Sequence, residues 1–145
     1  MSLEQNKSIV RRHFEELWHK GDLTVADEIY STRAVGHYSD NPDMTGYPEV
    51  EEALVRADKV AFPDGVVTVE GQIAEDDIVV TRWRFDATHT GPLYDIPQSG
   101  RTISVPGVHV HRISEGKIVE IWAHPDTFSF MSQMGLVPSA TADVG

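Results

Sequence analysis

The sequence predicts an α+β fold, a cone-shaped α+β barrel in which a curved antiparallel sheet carries N-terminal helices packed on its concave face. Three observations predict it. Apolar residues recur at helical spacing between Ile9 and Ala57. From Val66 onward the apolar period is two, in long runs joined by short turns. No repeat, low-complexity tract or linker interrupts either part, so helices followed by a strand meander belong to one layered domain. The 145 residues suit a single domain, placed at 1–137, with a flexible C-terminal tail at 138–145. A chain of this size buries about two-thirds of its surface, enough for a core and one small cavity.

The elements follow in order. Ile9, Val10, His13, Phe14, Leu17 and Trp18 share one helical face, predicting a helix over 4–20 that Gly21 stops. Asp22 is a natural cap for a short second helix over 22–30, which buries Leu23, Ala26 and Ile29. The stretch Val35–Pro48 holds Gly and Pro turn signals and reads as a loop. Tyr47, Val50, Ala53, Leu54 and Ala57 mark a third helix ending before Phe62-Pro63-Asp64-Gly65. Val66–Glu75, Ile78–Thr88, Thr102–Ile113 and Lys117–Ala123 read as strands, with a longer loop at Thr90–Gly100. A last short helix spans 125–134.

Charge and composition exclude several function classes. Twelve Lys and Arg against 23 Asp and Glu give a net charge of −11. Without a basic run the chain lacks what phosphate neutralisation needs, so nucleic acid and anionic membrane surfaces are not expected partners. No apolar stretch is long enough to span a bilayer, and the polar N-terminus does not read as a signal peptide, leaving the cytoplasm as the default location. The absence of Cys removes disulfides, thiolate metal sites and Cys nucleophiles.

Strand alternation sorts the chemistry-bearing residues. Val80, Arg82, Arg84 and Asp86 share one face of their strand, and Val79, Thr81, Trp83, Phe85 and Ala87 the other. Ile103, Val105, His109, His111 and Ile113 share a face of the next. Apolar residues on both faces suggest a sheet-to-sheet homodimer. His109 and His111 form an H-x-H pair that could chelate a metal with help from His89, His37 or His124. No carboxylate stands at a recognisable ligand spacing, so no metal is expected. Asp126 is either the cap of the last helix or a general acid/base at a pocket mouth. An inward Arg82 could hold an anionic oxygen, and a solvated, paired Arg82 is the plainer alternative. Trp18, Trp83, Trp122 and Phe14 are either stacking groups for a planar ligand or ordinary core.

Four segments in order resemble a known family: Ala61-Phe-Pro-Asp64; Arg82-Trp83 followed by Thr88-His-Thr-Gly91; Ile96-Pro-Gln-Ser-Gly-Arg101; and Gly116-Lys-Ile-Val-Glu-Ile-Trp122, leading to Asp126 and Met131-Ser-Gln-Met-Gly135. The chain resembles the SnoaL-like polyketide cyclases of the nuclear transport factor 2-like superfamily over roughly residues 5–136. That resemblance implies the cone fold and an intramolecular aldol cyclisation of an aromatic polyketide, with neither metal nor organic cofactor. It implies His109 as the pocket histidine and His89 as a second one. The cyclase carboxylate would stand two positions before Pro125, where this chain has Ala123. Asp126 matches a second, more widespread family Asp. Asp126 and His109 are therefore the expected acid/base pair. His89 and Arg82 are expected to orient or stabilise an oxyanion, with His37 and His111 as further binding candidates. Two alternatives stay open: a cofactor-independent hydroxylase of an anthracycline-like precursor, and a non-catalytic binding module for a planar apolar metabolite.

Overall fold

A computed structural model describes residues 2–38 and 41–138. Helix α1 (Leu3–Arg12) opens with a capping box, in which the Ser2 hydroxyl accepts the Gln5 N–H and the Gln5 side chain accepts the Ser2 N–H. It runs on into a π-helical segment, His13–His19, so the helix expected over 4–20 is present but wider in its second half. Helix α2 (Thr24–Ile29) and α3 (Glu49–Ala61) follow on either side of strand β1 (Tyr30–Tyr38). Strands β2 (Val66–Glu75), β3 (Ile78–Thr88), β4 (Thr102–Ser114) and β5 (Lys117–Pro125) form the meander, and α4 (Thr127–Gln133) closes the described chain. Of the expected tail at 138–145, only Pro138 is described; the remainder lies outside the described residues.

The sheet order is β1-β5-β4-β3-β2, curved and not closed. Neighbours from β2 to β5 are antiparallel, whereas β1 lies parallel to β5. Strand β1 corrects the loop expected from Val35. Its run Ser31-Thr-Arg has no apolar alternation, and its strand state comes from pairing with β5, where Gly36 faces Ile121 and Tyr38 faces Ala123. Gly36 is there for packing rather than for a turn: a Cβ at this position would lie 2.2 Å from the Tyr47 hydroxyl.

The strand parity holds. Val79, Thr81, Trp83, Phe85 and Ala87 of β3 are buried, as are Ile103, Val105, His111 and Ile113 of β4. They meet Val10, Phe14, Leu17, Ile29, Val55 and Phe62 from the helical side. The register slips between Arg112 and Ile113, pairing Arg112 with Glu120 and Ile113 with Ile118, so Ile118 and Ile121 both reach the core. Among the described residues no helix is long and apolar enough to cross a membrane.

Candidate active site

The inner face of the sheet, the π-helical segment, α3 and α4 enclose a cavity of two lobes, of about 240 Å³ and 290 Å³. Trp18, Tyr38, Asp58, His109 and Phe130 line both. One lobe is walled mainly by Phe62, Trp83, Phe85, Val105 and Ala123. Its aromatic rings interlock, Trp18 stacking on Phe85 at 5.1 Å and meeting Trp83 edge-on at 5.0 Å. The other lobe adds His13, Glu51 and Tyr94 and is the polar end.

Helix α3 supplies the acidity. Glu51 and Asp58 are seven residues apart and share one helical face with Val55. Burial pushes the Asp58 carboxyl up from an ordinary 3.8 to about 7, against the pull of Lys59 and the nearby Trp18 indole. Burial, with the Asp58 charge added, pushes Glu51 to about 8, and the Tyr38 hydroxyl eases that shift. The Tyr38 and Tyr47 hydroxyls are 2.8 Å apart, and burial raises both phenols above their ordinary value. This end of the cavity therefore favours the protonated form of its hydroxyls and of both carboxyls more strongly than water does.

The imidazoles are neutral. Burial lowers His13 to about 3, and its Nδ1 hydrogen-bonds the Tyr30 hydroxyl at 2.7 Å, with Glu51 Oε1 at 3.7 Å. His109 and His111 are held well below the ordinary histidine value, first by burial and then by neighbouring His13. The three rings pack at centroid distances of 5.4 to 5.9 Å. Among the described residues no group of three or more His, Asp or Glu is arranged to hold a metal ion. Trp83 Nε1 donates to His109 Nδ1 at 2.7 Å.

The structure brings together only some of the residues expected from sequence. His109, Trp18 and Trp83 line the cavity. Phe14 and His111 lie fully buried just behind His109. Asp126 is exposed, caps α4 by accepting the Ser129 N–H at 3.0 Å, and is not part of the cavity wall. Arg82 is on the outer face of β3, exposed, with Nη2 3.5 Å from the Glu70 carbonyl. The inward Arg82 is thus corrected: it alternates with Trp83, so only one of the two can face the cavity. His37 and Trp122 also belong to the outer face, stacked at 5.3 Å. His37 lies between Asp43 at 2.8 Å and Glu120 at 2.7 Å, and these bonds raise its pKa. His89 is fully buried, and its Nδ1 meets the Ser99 hydroxyl at 2.8 Å, tying down the 90–100 loop rather than lining the cavity. The groups missed from sequence are Asp58, Glu51, Tyr38 and His13. The signal available was the position of Glu51 and Asp58 on the same stripe as Leu54 and Val55.

Known proteins share this fold. No curated protein matches the chain. The solved structure of AclR from Streptomyces galilaeus, a proposed hydroxylase, superposes with a TM-score of 0.83 at 26% identity, covering 96% of this chain and 86% of its own. A proposed SnoaL-like polyketide cyclase from Jannaschia sp. CCS1 gives 0.80 at 27% identity, covering 93% and 94%. IdmH from Streptomyces antibioticus, a proposed polyketide cyclase, gives 0.75 at 26%, covering 90% and 99%. The family model for SnoaL-like polyketide cyclases matches residues 8–134, the span from the middle of α1 to the end of α4 that builds the cavity. On that match, and on a cone of helices over a curved sheet, the chain belongs to the SnoaL-like polyketide cyclase family.

Proposed function

We propose that this protein is an enzyme that binds a hydrophobic aromatic or polyketide-type small molecule in the two-lobed cavity and transforms it by proton transfer at Asp58, without a cofactor. The observation that carries this reading is the Asp58 carboxyl, which lines both lobes with a pKa near 7. A general base works best when its pKa lies near the working pH. Asp58 takes the place first expected of Asp126.

In the aldol form of the reaction the ionised Asp58 removes a proton α to a carbonyl. The enolate carbon bonds to a second carbonyl carbon of the same molecule. The resulting alkoxide takes the proton back from Asp58, and loss of water gives the aromatic ring. The aromatic lobe holds the planar part of the molecule, and the hydroxyls and carboxyls under α3 meet its oxygens.

A second reading is hydroxylation. It is favoured by Ala123, which leaves the sheet wall of the cavity without a carboxylate, and by the likeness to AclR. Here Asp58 takes a phenolic proton and the substrate anion bonds to dioxygen. Return of the proton gives a substrate hydroperoxide, which two equivalents of a small thiol from solution reduce to the hydroxylated product and water, the thiols leaving as a disulfide. The two readings separate on a panel of polyketide keto esters and hydroxyanthrones. Cyclisation proceeds under nitrogen with loss of water. Hydroxylation requires oxygen and adds the mass of one oxygen atom. Turnover of neither class, with 1,8-dihydroxyanthraquinone still raising the melting temperature, would leave a binding module and refute the enzyme.

A further inference from the structure

One hydrogen bond in the cavity wall has a direction fixed by chemistry. An indole N–H donates and cannot accept. Trp83 Nε1 lies 2.7 Å from His109 Nδ1, so Nδ1 is the unprotonated nitrogen. A neutral imidazole carries one proton, which then resides on Nε2. A second proton on Nδ1 would face the indole N–H head-on. The rings of His13, Phe14 and His111 around His109, at 5.9, 5.5 and 5.8 Å, offer an imidazolium no counter-charge.

The backbone prepares this bond. Trp83 stands directly opposite Gly107 in the β3–β4 register, and His109 is the next residue of β4 on the same face. A Cβ at Gly107 would lie 2.1 Å from Trp83 Cζ2 and 2.6 Å from Cε2. The indole therefore lies flat across the space that a side chain at 107 would fill, and it reaches diagonally to His109. Any other residue at 107 would move the ring off its partner. Because His109 lines both lobes, the nitrogen left to meet a ligand is the one bearing the proton.

We infer that Trp83, seated over Gly107, is a positioning residue that locks His109 in its Nε2–H tautomer. Resting on the active-site reading above, the lock makes His109 a neutral hydrogen-bond donor to the oxygen on which negative charge develops, and bars it from acting as a base. The proton is then carried by Asp58 alone, and the expected Asp126–His109 acid/base pair is replaced by an Asp58 base and a His109 donor.

The test is a long-range proton–nitrogen correlation spectrum of protein labelled with ¹⁵N-histidine at pH 7, with His109 assigned by its loss in His109→Gln. The expected result is a single neutral Nε2–H form in the wild type. Trp83→Phe, and separately Gly107→Ala, should convert it to a mixture of tautomers; the second does so with both partners still present. An Nδ1–H form in the wild type overturns the inference, as does an unchanged Nε2–H form in both variants. With a turned-over substrate, Trp83→Phe should lower kcat by about 10²-fold with little change in KM, the scale of one lost oxyanion donor. A tautomer change with kcat intact would leave the lock standing and refute the donor role in catalysis.

Discussion

Removal of the Asp58 charge tests the central claim without a known substrate. Asp58→Asn keeps the shape of the side chain and abolishes its ionisation. The carboxyl is shifted from 3.8 to about 7, about three pH units, and one unit corresponds to about 1.4 kcal/mol. The sign follows from which state holds the proton. Between pH 4 and 7 the folded protein keeps the proton on Asp58 while the unfolded chain has lost it, so stability falls as pH rises through that window. Below it the carboxyl costs nothing; above it the full cost, about 4 kcal/mol as an upper limit, is present. The carboxyl faces a cavity that admits water, so about 2–4 kcal/mol is expected. Asp58→Asn should therefore be stabilised relative to wild type by that amount more at pH 8 than at pH 4, read from urea unfolding at both pH values. The same variant should lose about 10²–10⁴-fold in kcat, the usual worth of a general base. An equal stability change at both pH values would show an unperturbed carboxyl, and the assignment of Asp58 as a base poised near neutrality would fall.

Other consequences are simpler. His13, His109 and His111 are buried neutral, so the unfolded chain binds protons below about pH 6.5 that the folded protein refuses, and stability falls as pH drops. His13 is lowered to about 3, and its replacement by Gln should reduce the slope of stability against pH between 6.5 and 4. Asp126→Ala should cost about 1 kcal/mol of stability through loss of the α4 cap, and Asp126→Asn should leave kcat within about twofold, since Asn caps as well as Asp; a large loss of kcat in a folded protein would return Asp126 to the chemistry. The outer face of the sheet, with Val80, Val110 and Trp122 only half covered, is proposed to pair with a second copy. Sedimentation at micromolar concentration should show a dimer, and a monomer alone would end that proposal.

The legible and illegible parts of the sequence differ for physical reasons. The antiparallel meander was readable because its period of two sorts residues onto two faces, grouping Trp83 with Phe85 and His109 with His111, but apolar residues on both faces left open which face lines the cavity. The same parity allows only one of Arg82 and Trp83 to face inward, and the structure turns Trp83 in and leaves Arg82 exposed. Strand β1 was not readable because its state comes from a distant partner, β5, and its own residues carry no alternation. Glu51 and Asp58 were hidden by their helix. On an acidic amphipathic segment such as Glu49-Val-Glu-Glu, carboxylates are ordinarily solvated, and only the packing of α3 over the sheet shows which two are not. Asp126 offered two roles at one position, and in the structure it accepts the Ser129 N–H as the cap of α4, the role that the Asp126→Asn assay sets against catalysis.

The placement of the base also constrains how a substrate lies in the cone. The family resemblance puts the cyclase carboxylate on the last strand, at the position occupied here by Ala123, which faces Tyr38 across the β1–β5 pair. Asp58 belongs to α3, and it shares the Trp18, Phe130 and His109 wall that joins the two lobes. In the proposed reading the acidic hydrogen of the bound molecule therefore points toward the helix layer rather than toward the sheet, and its charged oxygen points toward His109 on β4. Restoring a carboxylate by Ala123→Asp separates these geometries. If the substrate presents its acidic hydrogen to α3, the added group gives no rescue of Asp58→Asn and destabilises the protein by leaving a buried carboxyl without a partner. Rescue of turnover in the double variant would show that the substrate can present that hydrogen to the sheet, and would refute the orientation argued from Asp58.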